Sequence, residues 1–239
     1  MKTKSSLLLI LAFVLMLLTQ PSRAADFYAI ITNFGNAKPG ARMDVSVDTT
    51  VSAAIDVLFT VFDASGSQLT EFTSRANASG LATSSAVLTN DLFKLSNGQP
   101  AVVRARTPAG AIAAAILHQT GSGNSLDLAV FPVRAADGFP YALGTNFAIA
   151  LGNVPFPTLL IANVSGGDVA VDVFRGTRGC YGCGTYTTPR LVNNGLWRVD
   201  LTDADKNADL IVTSTGPIIV QLVLDDGKRV SALTCMPAR

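Results

Sequence analysis

Two stretches about a hundred residues apart read alike, and a repeat of that length limits the fold more than any other feature of the chain. Thr107–Leu117 is TPAGAIAAAIL and Thr213–Val223 is TSTGPIIVQLV. Each has a glycine-bearing turn, Gly110 or Gly216, that leads into an apolar run. Each run crosses a polar turn and enters a short apolar segment stopping at a proline, LDLAVFP at Pro132 and VSALTCMP at Pro237. The expectation is two copies of one strand order, each copy burying its apolar residues in its own interior.

The amino terminus reads as a secretory leader. Lys2 and Lys4 make a positive start, Leu7–Leu18 is apolar, and Ser22 and Ala24 put small residues where a signal peptidase reads. The apolar run is shorter than the roughly 20 helical residues that span a bilayer. Cleavage after Ala24 is expected, with a secreted or periplasmic destination. Removing Lys2, Lys4 and Arg23 from 18 basic residues leaves 15 against 17 acidic, a formal charge of −2. So neutral a chain has no basic field for nucleic acid. The remaining apolar runs are strand-sized, so no transmembrane segment is expected in the mature chain.

Charged residues are 15% of the chain, against about 25% in ordinary globular proteins, which restricts the supply of acid/base groups. Short alternating or apolar segments recur between Gly, Asn and Pro turns. They include Phe27–Thr32, Met43–Val47, Ile55–Asp63, Gln68–Ser74, Leu159–Asn163 and Asp168–Arg175. Strands at this spacing imply an all-β fold of two tandem β-sandwich domains. Residues 1–24 are the leader, 25–133 the first domain, 134–138 (RAADG) a linker and 139–239 the second. Asp168–Arg175 (DVAVDVFR) aligns with Asp56–Asp63 (DVLFTVFD), and Thr145-Asn146-Phe147 repeats Thr32-Asn33-Phe34. Asp226-Gly227 marks a hairpin.

The segments LLIANVSGGDVAVDVFR and STGPIIVQLVLDDG resemble secreted bacterial immunoglobulin-like or fibronectin-III-like repeats, loosely over Phe27–Pro237. The resemblance implies immunoglobulin-like sandwiches and no common activity. Two sandwiches behind a leader also resemble the periplasmic pilus-assembly chaperones, but the basic cleft and long alternating edge strand of that family cannot be placed here.

The cysteines are Cys180, Cys183 and Cys235. Cys180-Tyr181-Gly182-Cys183 lies in a glycine-rich stretch, Gly176–Gly184, read as a loop with no helix pattern after it. A low-pKa redox thiol is therefore not expected. In an exported chain a Cys180–Cys183 disulfide is expected, with Cys235 a buried free thiol; the competing pairing joins Cys235 to a loop cysteine. Zinc is not expected, because three cysteines without a nearby histidine leave its tetrahedron incomplete.

Asp203, Asp205, Asn207 and Asp209 alternate in DADKNAD as the first ligands of a calcium loop do. Ala208 and Ser214 stand where that loop needs glycine and a bidentate glutamate, so a solvated loop is the preferred reading. His118, the sole histidine, is expected at a strand end. No Gly-x-Ser-x-Gly elbow is present, Gly121-Ser122-Gly123 reads as a hairpin tip, and Glu71 is the only glutamate. Asn77-Ala78-Ser79 and Asn163-Val164-Ser165 match the glycosylation acceptor. No enzyme activity and no cofactor are expected. The reading is a binding or structural protein whose partner, a protein or a glycan, meets sandwich loops or edge strands. Tyr181, Tyr186 and Trp197 are the local aromatic candidates, with Trp197 expected in the core alternating with Val199 and Leu201. The alternatives are a passive envelope scaffold or assembly subunit and a hydrolase with an unrecognised site.

Overall fold

The computed structural model describes residues 25–31, 42–48, 55–76, 83–88, 99–107, 115–121, 124–129, 133–134, 143–152, 157–177, 180–205, 208–225 and 230–235. Strands take up most of these, and no α-helix occurs among them. The strands are β1 (Ala25–Ile31), β2 (Arg42–Asp48), β3 (Ile55–Phe62), β4 (Gln68–Ala76), β5 (Thr83–Leu88), β6 (Ala101–Thr107), β7 (Ala115–Gly121), β8 (Asn124–Ala129) and β9 (Val133–Arg134). They continue with β10 (Leu143–Ala150), β11 (Pro157–Asn163), β12 (Val169–Thr177), β13 (Cys180–Leu191), β14 (Leu196–Asp200), β15 (Asp209–Asp225) and β16 (Val230–Thr234). The all-β expectation therefore holds. The leader expected over 1–24 lies outside the described residues, as do Thr32–Phe34, Asn77–Leu81 and 135–138.

Among the described strands, all pairs are antiparallel. One sheet runs β4-β3-β6-β1-β9 and another β5-β2-β7-β8. The third is built on the 17 residues of β15, whose first half pairs with β12 and most of β10 and whose second half pairs with β11, β16 and the first two residues of β10. β13 extends the β12 side and β14 the β11 side. The two halves of this sheet therefore run β13-β12-β15-β10 and β14-β11-β15-β16. With β15 standing for β6 and β7 together, these orders match β4-β3-β6-β1 and β5-β2-β7-β8. Equivalent rows can be read across them, Ala29–Val103–Val61 in one and Phe147–Val212–Val173 in the other. Those rows set Phe147 opposite Ala29, so the likeness of Thr145-Asn146-Phe147 to Thr32-Asn33-Phe34 is out of step with the pairing.

The stretch around Gly216, read from the sequence as a turn, is instead where β15 passes from one half-sheet to the other without a break. A side chain there would collide: a Cβ on Gly216 would lie 2.8 Å from Cγ1 of Val169. Phe147, Ile161, Val171, Val173, Val199, Leu210, Val212, Ile218 and Val220, drawn from both halves, form one buried cluster, an arrangement consistent with a β-sandwich. Trp197 packs half-buried against it, as its alternation with Val199 and Leu201 predicts.

Three expectations change. β13 begins at Cys180, directly across from Thr177, so the described residues of Gly176–Gly184 are paired strand with a bulge rather than loop. Arg175 alone on β12 lies opposite Gly182, Cys183 and Gly184 on β13, and the excess residues are absorbed where glycines relax the backbone. Arg134, read as the first linker residue, pairs with Phe27 through β9. Finally, apolar residues are buried on both faces of several strands. Val57, Phe59 and Val61 are buried on one face of β3, and Thr60 and Phe62 on the other; Leu159 and Ile161 alternate with the equally buried Leu160 and Ala162 on β11. A strand enclosed only by its own sandwich would expose one face.

Candidate functional site

Two turns repeat one piece of chemistry. In Asp63-Ala64-Ser65-Gly66-Ser67, between β3 and β4, Oδ1 of Asp63 accepts hydrogen bonds from the Ser65 N–H (2.8 Å), the Ser65 hydroxyl (2.6 Å) and the Ser67 N–H (2.9 Å). In Asn163-Val164-Ser165-Gly166-Gly167, between β11 and β12, Oδ1 of Asn163 accepts from the Ser165 N–H (2.9 Å) and hydroxyl (2.8 Å). A short side chain that bonds its own backbone two residues on favours such turns. Gly66 and Gly166 supply the left-handed residue, at φ 80° and 88°. Asn163 is fully buried, and its Nδ2 donates to the carbonyls of Gly167 (2.7 Å) and Leu191 (2.8 Å). That nitrogen is engaged in the folded chain, so Asn163 is a turn anchor and not an exposed sugar acceptor. Asn77 lies outside the described residues.

The densest polar cluster joins β12, β13 and the turn before β15. Asp203–Asp205 forms a single 3-10 turn, with the Asp205 N–H donating to the Thr202 carbonyl (2.9 Å). This aims Asp205 inward, where it is 0% exposed. Its Oδ2 accepts from the Thr202 N–H (2.6 Å), the Thr202 hydroxyl (2.9 Å) and the Tyr186 hydroxyl (2.9 Å), while its Oδ1 accepts from Nε of Arg175. The Arg175 guanidinium lies over the Tyr186 ring, 5.8 Å from its centroid. Burial by itself would push the Asp205 carboxyl up; the bonds from Thr202, Tyr186 and Arg175 outweigh it and hold the group below the ordinary carboxylate range.

The calcium-loop candidates differ in exposure. Asp205 faces the interior with both oxygens occupied, Asp203 and Asp209 are exposed, and Asn207 lies outside the described residues. Among the described residues, no three His, Cys, Asp or Glu side chains come together as a metal-holding group. Asp203–Asp205 is a turn locked by Asp205, which the alternating pattern alone did not reveal.

Cys235 is a free thiol, half-buried against the core cluster, and burial pushes its pKa up to about 11. The alternative pairing of Cys235 with Cys180 or Cys183 is accordingly not formed. The side chains of Cys180 and Cys183 lie outside the described residues. So does that of His118, whose backbone register on β7 sets it between Asp44 of β2 and Asp127 of β8. Gly121 pairs with Asn124, and Ser122 and Gly123 of the expected hairpin tip lie outside the described residues. Of the aromatic candidates, Tyr186 is held by the Asp205 cluster and Trp197 by the core; the Tyr181 side chain lies outside the described residues. The exposed large apolar side chain among the described residues is Leu233 on β16, at 56%.

On the N-terminal sheet a polar row crosses four strands. Glu71 accepts from the Thr60 hydroxyl (3.1 Å), and Thr60 accepts from the Arg104 guanidinium (3.1 Å). Arg104 also lies 5.4 Å from the Phe62 ring centroid, and Tyr28 is its neighbour in register on β1. One row along, Arg106 grips Asp26 through both carboxylate oxygens at 2.7 and 2.9 Å. No family model matches the chain, and neither the curated proteins nor the solved structures compared with it give a match.

Proposed function

We propose that this chain is an exported, non-enzymatic binding protein of two tandem β-sandwich modules that recognises a protein or glycan partner. The matching pairing orders of the strands before and after β9 support the tandem reading. The immunoglobulin-like element lies in the β3–β6 and β2–β5 neighbours, which correspond to the C–F and B–E neighbours of that fold's sheets. The outer strands differ: β1 lies beside β6 and β7 beside β2, so the first and seventh strands have changed sheets. Export is supported by the leader pattern of residues 1–24.

One observation carries the non-enzymatic reading: the buried carboxylate among the described residues, Asp205, is closed on itself with Arg175 and Tyr186. A carboxylate whose oxygens all carry donors is positioned for structure and not for proton transfer to a substrate. The test is recovery of partners by the mature chain from its own cell envelope, beside a screen of clean protein against generic esterase and glycosidase substrates. Retained partner without turnover supports the reading, and robust turnover overturns it. Amino-terminal sequencing of the exported chain is expected to begin at Ala25.

An assembly subunit is the second reading, favoured by β13 (12 residues), which among the described strands pairs with β12 alone. An exposed edge of that length can accept another strand. Concentration-dependent sedimentation separates the two readings.

A further inference from the structure

We infer that the two strand sets are joined as one rigid body, with the second face of β3–β6–β1 covered by the outer face of β14–β11–β15 of the same chain. The burial is graded along both faces. On the N-terminal sheet the row Phe62–Val102–Ile30 is buried. The next row, Thr60–Arg104–Tyr28, is buried except at half-buried Arg104, and the row Leu58–Arg106–Asp26 is half-buried or exposed. Burial therefore deepens toward the β3–β4 turn.

On the C-terminal sheet the outer row Leu196–Ala162–Ile219 is buried; in the next two rows Leu160, Gln221 and Val223 are buried, Thr158 is half-exposed, and Arg198 and Asp200 on β14 are exposed. Burial there deepens toward the start of β14. These two ends meet: the Leu196 N–H on β14 donates to the Ala64 carbonyl in the β3–β4 turn at 3.0 Å. β1 and β15 also touch, as do β8 and β16.

The chemistry of the faces agrees with this assignment. Val57, Phe59 and Val61 share the wholly apolar side of β3, with Phe59 stacked on Phe72 at 5.2 Å, as in a module's own interior. The opposite side mixes Phe62, Val102 and Ile30 with Thr60, Arg104 and Tyr28, the composition of an interface. Buried Gln221 provides an unpartnered acceptor, Oε1, on one face, and Arg104 an unpartnered donor, Nε, on the other. The turn at Gly66 fits closely: a Cβ there would lie 2.6 Å from the Asn193 carbonyl oxygen and 3.2 Å from the Gly195 nitrogen. A partner consequently meets both strand sets as a single surface.

Residue-resolved hydrogen exchange on the mature full-length chain tests the joint. Because Asn163 donates to Gly195, the alternation of an antiparallel ladder turns the Leu196 and Arg198 amides of edge strand β14 away from β11. Among the described residues, Leu196 and not Arg198 has an acceptor across the joint, so it is expected to exchange orders of magnitude more slowly than Arg198. Equal rates overturn the inference. Gly66→Ala and Gly166→Ala impose the same left-handed strain, but Gly166 has nothing within 4 Å of an added Cβ. Gly66→Ala is expected to accelerate Leu196 exchange and Gly166→Ala to leave it unchanged. An identical Leu196 rate in the two variants also overturns the proposal.

Discussion

Replacing Asn163 tests whether a single buried amide holds together the two ends of the C-terminal sheet. Asn163→Ala removes two donors, those serving the Gly167 and Leu191 carbonyls, and one acceptor shared by the Ser165 N–H and hydroxyl. At about 0.5–1.5 kcal/mol net for each hydrogen bond, the four sum to roughly 2–6 kcal/mol. Ser165 is half-exposed and Gly167 exposed, so water replaces part of their loss, whereas Leu191 is buried. The expected cost is therefore about 3 kcal/mol. Urea titration should show a lower midpoint with an unchanged slope, because the area exposed on unfolding is nearly the same.

Asn163→Asp sharpens the test by keeping the acceptor while setting a carboxylate oxygen against two carbonyls. Burial and the opposed carbonyls raise the folded-state pKa of the introduced group above its unfolded value. The folded state then binds the proton more tightly, and the deficit of Asn163→Asp relative to the natural chain narrows as pH falls through that raised pKa. A loss under about 0.5 kcal/mol for Asn163→Ala, the size of an ordinary surface substitution, would refute the account, as would a deficit of Asn163→Asp that ignores pH.

Further outcomes follow from the same geometry. Asp63→Ala loses bonds whose partners are exposed, so it is expected to cost about 1 kcal/mol, less than Asn163→Ala in the same urea assay. Asp205→Ala leaves the Arg175 cation without its carboxylate in a partly buried position and is expected to cost about 2–4 kcal/mol by thermal denaturation. The folded-state pKa of Asp205 is depressed, so its contribution is present above the unfolded carboxylate range and is lost as pH falls through the lower folded value. Asp205→Asn should accordingly flatten the acid limb of the stability profile. With its pKa raised to about 11 by burial, Cys235 should react with iodoacetamide far more slowly at pH 8 in the native chain than in urea. Gly216→Val, which forces a side chain against Val169, is expected to cost about 1–3 kcal/mol by urea denaturation.

What the sequence determined by itself is local. Alternation in Ile55–Phe62 and Leu196–Asp200 marked strands because side chains two apart share a face, and the turn chemistry at Asn163 acts between residues two to four apart. The pairing of Arg175 with Asp205 spans 30 residues, and the alternating acids of DADKNAD read equally well as exposed ligands. Only the packed fold selects the inward turn, because a buried carboxylate persists where donors converge from β12, β13 and its own backbone. The same holds for β15. Gly216 and Pro217 look like a turn in isolation, yet they keep a 17-residue strand continuous because neighbours on both half-sheets claim its two ends. Alternation likewise names two faces for β3 and β11 but not the occupant of the second, which depends on surfaces brought together from distant parts of the chain.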